Sequence, residues 1–364
     1  HERLDTRRRK GLQTSAAATP TQTHATHETH SVTRIIKITR PWRGAAHGTH
    51  PGRTDMHYPT RHPLPTLEDR IVAHLSLSPA TRSQLCEALS ASASSQGIDV
   101  SRVRAVGVGA PIPMGRHARV ASDAYPSVED VASVTGRWWQ AVPVVDNTVR
   151  MAAFAEGLWG AGSGMSSFIY LRLSGGVGGC VVSDFRLVGG ATGLAGELGH
   201  ITVAGNDALC GCGKRGCVET LASVPALCER AGARDLSELR AAVHADDERA
   251  LAALEGAARA IGYVLGSAAL LINPKAIILA GEIVDAFPSL RESIAAHMGA
   301  ELLPVMEWDI DVVAASLGPL GAAQGCAYIA AHPSGEDADR ERAPHRGGAT
   351  ASPGVGVCGE GGCP

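Results

Sequence analysis

Gly196-Glu-Leu-Gly-His-Ile-Thr-Val-Ala-Gly-Asn-Asp-Ala-Leu-Cys-Gly-Cys-Gly-Lys-Arg-Gly-Cys-Val-Glu219 is the stretch around which the rest of the chain is read. His200 is followed, after nine residues, by Cys210, then by Cys212 and Cys217, with Glu219 two residues further on. Three thiols and one imidazole make a Cys₃His set, one of the usual closed tetrahedral zinc sites. Gly211, Gly213 and Gly216 stand between the cysteines. Glycine accepts the positive φ angles that a tight wrap around one ion demands. The spacing is not that of a DNA-reading zinc finger. A redox pair and plain buried cysteines are the competing readings; ligand type and spacing favour zinc. Four protein ligands leave no open position, so the metal is expected to be structural and not catalytic.

Composition narrows the remaining possibilities. A chain of 364 residues can bury a large core and should hold two or more domains or lobes. Its net charge of −3 selects no class of partner. With 45% hydrophobic but only 4% aromatic residues, the core must be built from Ala, Val, Leu and Ile. Nine cysteines in a chain this long are no disulfide scaffold, and their cluster reads as metal-binding in a reducing, cytoplasmic setting. The apolar run 261–272 is too short to span a bilayer and follows Glu255 and Arg259, so a buried helix is expected and no membrane. A basic start followed by an apolar core, the mark of a signal peptide, is not seen.

In chain order, residues 1–65 are rich in Arg, Thr, His and Pro, with a basic run at Arg7-Arg-Arg-Lys10. Such composition cannot offset chain entropy by burial, so a disordered or non-native basic tail is expected in preference to a nucleic-acid-binding arm. Residues 66–95 carry Leu67, Ile71, Val72, Leu75, Leu85 and Leu89 at roughly helical spacing and read as an amphipathic helix before the first strand. Residues 79–85 hint at the turn of a helix-turn-helix, but too little chain follows for a whole one. Residues 103–111 are a buried strand, and 142–156 a short strand running into a helix. Residues 167–173 form another strand. The Gly-rich run after it, 174–180, reads equally as a hairpin turn or as a phosphate cradle built on Gly175, Gly176 and Gly178. The chain is helical from Glu219 to Pro274, with one helix over 250–272 stopped at Asn273-Pro274. Strands over 275–280 and 309–315 and a closing helix over 317–330 complete an α/β pattern. The Gly-, Pro- and charge-rich residues 333–364 read as a disordered tail.

Ala195-Gly-Glu-Leu-Gly-His200, followed by the Cys-Gly-Cys-Gly-Lys-Arg-Gly-Cys-Val-Glu of the opening stretch, resembles the signature of the ROK family (repressors, open reading frames, sugar kinases). The likeness runs from about Val103 to about Ala331, so residues 66–332 are expected to be a ROK sugar-binding domain with an incomplete N-terminal lobe. The resemblance implies the actin-like, ribonuclease-H-like ATPase fold of sugar kinases, with the zinc loop ordering a wall of the sugar site. It implies sugar hydroxyl ligands at Asn147, Glu197, His200 and Glu219, His200 giving one ring nitrogen to zinc and the other to the sugar. Helix capping by Asn147, and support of the zinc ligands by Glu197 and Glu219, are the plainer roles for the same residues.

Departures from the family pattern shape the functional expectation. Alignment on Ala152-Ala-Phe-Ala-Glu156 puts Thr148 on the family's catalytic Asp, and Asp146 falls one position early. Gly175 stands where the phosphate loop has Thr, Cys180 where it has its last Gly, and Phe185 where a hairpin has Gly. Ile112 replaces the small residue of a Pro-Gly-Pro turn near the sugar, Ala280-Gly281 replaces a Gly-Gly pair near adenine, and no Asp-x-Gly-x-Thr precedes Val103. The resemblance therefore implies a sugar-responsive transcriptional repressor that binds sugar and structural zinc, has no catalytic residue, and forms a homo-oligomer. DNA is a partner if a helix-turn-helix lies upstream. An ATP-dependent hexose or N-acetylhexosamine kinase is the alternative.

Overall fold

A computed structural model describes residues 106–111, 143–306 and 310–331. The expected tails over 1–65 and 333–364, the helix over 66–95, Ile112 and Pro113 lie outside the described residues.

Two sheets are present among the described residues. In the smaller, β1 (Val106–Ala110) pairs in parallel with β2 (Pro143–Asn147), Ala110 lying opposite Asn147. β2 passes directly into α1 (Thr148–Trp159) because Asn147 stays extended, at φ −66 and ψ 135, while its side-chain oxygen accepts from the backbone N–H groups of Val149 and Arg150. That is an N-cap, the arrangement for which Asn is among the best residues.

The larger sheet contains β3 (Phe168–Leu173), β4 (Val177–Ser183), β5 (Arg186–Leu187), β6 (Ala276–Ala280) and β7 (Asp311–Ala314), in the spatial order β5-β4-β3-β6-β7. β3, β6 and β7 run parallel, while β4 and β5 join by antiparallel hairpins. Both faces are covered. Ile169, Leu171, Ile277 and Leu279 point into one apolar cluster, and Phe168, Tyr170, Ala276 and Ile278 into another. A strand buried on both faces reads as an unbroken apolar run, which is how β3 and β6 look in the sequence.

The residues expected to be helical up to Pro274 resolve into α2 (Glu219–Ala222), α3 (Val224–Ala231), α4 (Leu236–His244) and α5 (Glu248–Ile272). Capping residues set the breaks: Ser223, Asp235 and Asp247 each accept from the first turn that follows. Gly232 at φ 73 ends α3, and Asn273 at φ 49 ends α5. α5 is the one described helix long and apolar enough to cross a membrane by length and composition; 56% of its apolar window is buried, much of it in the cluster beneath the sheet. Two helices not anticipated from the sequence, α6 (Glu282–Ala286) and α7 (Leu290–Gly299), fill the interval between β6 and β7. The closing segment is a 3-10 turn over Gly318–Leu320 followed by α8 (Gly321–Ala331), which shares the second cluster with α1.

Candidate metal and ligand site

The cysteine-rich stretch folds back on itself as a small knuckle. Thr202 bridges Cys217 and Leu209 bridges Arg215, both antiparallel. At the tip Cys210 N–H donates to the Lys214 carbonyl, and Gly213 N–H to the Cys210 carbonyl. Gly213 and Gly216 take φ values of 88° and 82°, as the wrap requires. Gly211 does not share this conformation, so its place in the knuckle comes from sequence spacing alone.

The knuckle brings the side chains of His200, Cys210, Cys212 and Cys217 together, with one donor atom from each lying within 4.8 Å of all the others. Cys212 Sγ is 3.6 Å from Cys217 Sγ, and Cys210 Sγ is 3.7 Å from His200 Nδ1. A tetrahedron with bonds of about 2.3 Å to sulfur has edges of about 3.8 Å, so the donor set fits one zinc-sized ion and could hold it. The thiols are electrostatically unequal. Burial pushes Cys210 up to about 12 and also raises Cys217. Cys212 is lowered: burial opposes this, but the Lys214 backbone N–H and the neighbouring thiols outweigh it.

His200 enters the cluster from a 3-10 turn, Leu198–His200, packed against the start of β4. Gly199 lies so close to the Val177 carbonyl that any side chain there would collide with it. This is a physical reason for glycine in the Gly-Glu-Leu-Gly-His motif. The same turn carries Glu197. Burial raises its carboxyl, the charges of His200 and Arg150 lower it, and that of Glu219 raises it again. Glu197, His200 and Glu219 therefore converge electrostatically.

Glu219 ties two parts of the site together. Its Oε1 accepts from Cys210 Sγ at 3.4 Å, and its Oε2 accepts from the Val177 backbone N–H at 3.0 Å. Val177 opens β4, so the Gly-rich run is the turn of the β3–β4 hairpin. Gly176 leaves space for the Glu219 carboxylate, whereas nothing lies within 4 Å of a methyl group built on Gly175. Gly178 packs against Val149 in the first turn of α1. Ser174 Oγ donates to Glu282 Oε1 at 2.9 Å. Two carboxylates thus already accept from this turn, one on a backbone N–H and one on a hydroxyl.

At the start of α1, the Asn147 side-chain oxygen caps the helix, and Thr148 is its first residue. Asp146 is turned to other partners, accepting from the Asn147 N–H at 2.6 Å and from Arg150 Nε at 3.0 Å. Arg150, which sequence reasoning passed over, comes next to the site in this way; its Asp–Arg spacing of four residues was the available signal. On the far side of the hairpin, Asp184 and Phe185 adopt φ of 51° and 60°, so Phe185 holds a conformation that usually favours glycine.

Comparison with known proteins resolves the lineage. A profile described as the ROK family matches residues 78–332. The chain belongs to the ROK family. Its fold is accordingly the actin-like ATPase fold of the family's sugar kinases. A solved ROK glucokinase from Streptomyces griseus, in complex with glucose and AMPPNP, superposes with a TM-score of 0.62 at 27% identity, covering 72% of this chain and 92% of that one. A glucokinase of Halalkalibacterium halodurans is 31% identical over 195 residues, 48% of this chain and 59% of that protein. A xylose repressor of Bacillus spizizenii is 31% identical over 196 residues, 52% of this chain and 50% of the repressor. The chain thus spans only half to three-fifths of the length of these curated relatives. Kinases and repressors both stand among the ROK relatives.

Proposed function

We propose that this chain is the sugar-binding part of a sugar-responsive ROK repressor, residues 66–332, flanked by segments 1–65 and 333–364 outside that domain. It holds one structural zinc through His200, Cys210, Cys212 and Cys217. It binds a hexose or N-acetylhexosamine through Asn147, Glu197, His200 and Glu219, and it does not phosphorylate the sugar. It acts in the cytoplasm as a homo-oligomer, with DNA contacted through any helix-turn-helix upstream.

Zinc supplies a rigid knuckle and a fixed orientation for the His200 ring. With Nδ1 facing the thiols, Nε2 is the nitrogen left for a sugar hydroxyl. Glu197 and Glu219 are paired acceptors, suited to vicinal hydroxyls.

The observation that carries the non-catalytic reading is the start of α1. Thr148 stands at the first helical position, and a threonine hydroxyl cannot take a proton near neutral pH. The adjacent carboxylate, Asp146, is engaged by Arg150. The hairpin turn supports the same reading. Phosphoryl transfer needs donors and cations around the phosphate, yet here Glu282 brings negative charge to the turn by accepting from Ser174. The kinase reading is favoured by the likeness to glucokinases and by the open space beside Gly175, where the family's Thr would fit.

A coupled ADP-release assay with magnesium, ATP and a hexose and N-acetylhexosamine panel tests this. No turnover is expected, either from the unaltered chain or from Thr148→Asp. A general base is worth about 10²–10⁴-fold, and restoring one leaves the Glu282 carboxylate on the β3–β4 turn in place. Turnover by the unaltered chain above a heat-killed control would establish the kinase instead.

A further inference from the structure

We infer that Arg150 is a further recognition residue of this site, its Nη1 donating to an uncharged oxygen of the bound sugar, a hydroxyl or an acetamido carbonyl. The inference rests on the sugar reading above and adds a charged donor opposite the two carboxylate acceptors, Glu197 and Glu219.

Arg150 sits in the first turn of α1, three residues after Asn147. Its Nε is held 3.0 Å from Asp146 Oδ1, and the two side chains are only 15% and 19% exposed. That ion pair fixes the plane of the guanidinium. Its Nη1 is enclosed and has no hydrogen-bond partner among the described residues. A buried donor without a partner is costly and uncommon, and an arginine cannot shed the proton to escape the cost. Fixed in place and unsatisfied, Nη1 is poised to gain from a ligand oxygen.

The segment leading to the sugar wall passes close to Nη1. A methyl group built on Gly189 would lie 3.9 Å from Nη1. Residues 189–195 form a short loop closed by the Ala195 N–H donating to the Gly189 carbonyl, and residues 190–192 and 194 are exposed. This loop runs directly into Gly196 and Glu197. Displacing it would uncover Nη1 beside Glu197, whose carboxyl already feels the Arg150 charge.

Charge decides the class of ligand. Asp146 neutralises Arg150, and Glu197 and Glu219 add two further carboxylates nearby. A sugar phosphate or sugar acid would meet that excess, whereas a neutral pyranose would not.

Titration calorimetry on Arg150→Lys tests the inference. Lysine keeps a cation opposite Asp146 but removes the second nitrogen of the fork. The panel comprises hexoses, N-acetylhexosamines, their monodeoxy analogues and hexose 6-phosphates. Affinity for the preferred neutral sugar should fall about ten- to a hundredfold, with zinc content and melting temperature unchanged. In the unaltered chain one deoxy or deacetylated analogue should show a similar loss, and Arg150→Lys should no longer distinguish that analogue from its parent. Equal sugar affinity in both chains would overturn the role of Arg150 and leave the sugar reading standing. A loss accompanied by lower zinc content or melting temperature would make Arg150 a structural counter-ion only. Tighter binding of the 6-phosphate than of the neutral sugar would overturn the choice of ligand class. No binding of any sugar by the unaltered chain would remove the sugar reading, and this inference with it.

Discussion

Glu197 shows how a single side chain is placed under tension by its surroundings. It is set between a buried turn and the carboxylate of Glu219, and burial is the largest influence raising its carboxyl above the usual range. A group whose folded value lies above its unfolded value is stabilised by protonation. Its ionised form therefore weakens the fold at neutral pH, and that penalty disappears as pH falls through the raised value. Glu197→Gln should consequently melt at a higher temperature than the unaltered chain at pH 7, with the difference shrinking on acidification. Melting curves across pH, with zinc content followed in parallel, check this; a variant less stable at pH 7 would contradict it. At this scale the sequence was partly legible. Residue type and spacing pointed to the four metal-binding candidates, and the family resemblance to Glu219. Arg150 was passed over although its four-residue spacing from Asp146 was a signal, and Glu282 was not visible, because it matters through a partner that only the fold supplies.

Among the elements, α1 is the best example of structure prepared at both ends. Its N-terminus carries Asn147 and Thr148. At its C-terminal end Glu156, 2% exposed, accepts from the N–H groups of Ala161, Ser316 and Leu317 and from the Ser316 hydroxyl. This carboxylate ties α1 to the loop between β7 and α8, some 160 residues later. Glu156→Ala would leave buried donors unpaired, and should cost roughly 3 kcal/mol or more in urea unfolding; a change below about 1 kcal/mol would show the loop to be held by other contacts. A helix-borne Glu ordinarily reads as solvated, so only its position, not its role, could be taken from the sequence. The strands fared better because their apolar runs are continuous, and β3 and β6 lie within a residue of expectation. α6 and α7 escaped notice because each is short and weakly patterned. The knuckle carries its own prediction. Since structural zinc contributes to folding free energy, Cys212→Ser should lose the metal and destabilise the domain by on the order of several kcal/mol. Metal analysis and melting curves test it, and full zinc retention with unchanged melting would exclude Cys212 as a ligand.

For the molecule as a whole, one motif revealed the family while the departures from it carry the functional reading. The same ROK framework serves proteins named as glucokinases and as repressors, so fold alone does not choose between them. The choice rests on Thr148 at the first helical position of α1 and on Asp146 being engaged by Arg150. If the knuckle shapes the sugar wall, then metal and sugar are linked: removing the ion should abolish sugar binding, beyond its effect on stability. The most direct test is calorimetric titration of the hexose and N-acetylhexosamine panel into the zinc-loaded chain and into the same chain after chelation, below its melting temperature. Saturable heat from at least one sugar with the loaded chain, and none with the stripped chain, is the predicted result. No heat from any sugar, at one zinc per folded chain, would contradict it.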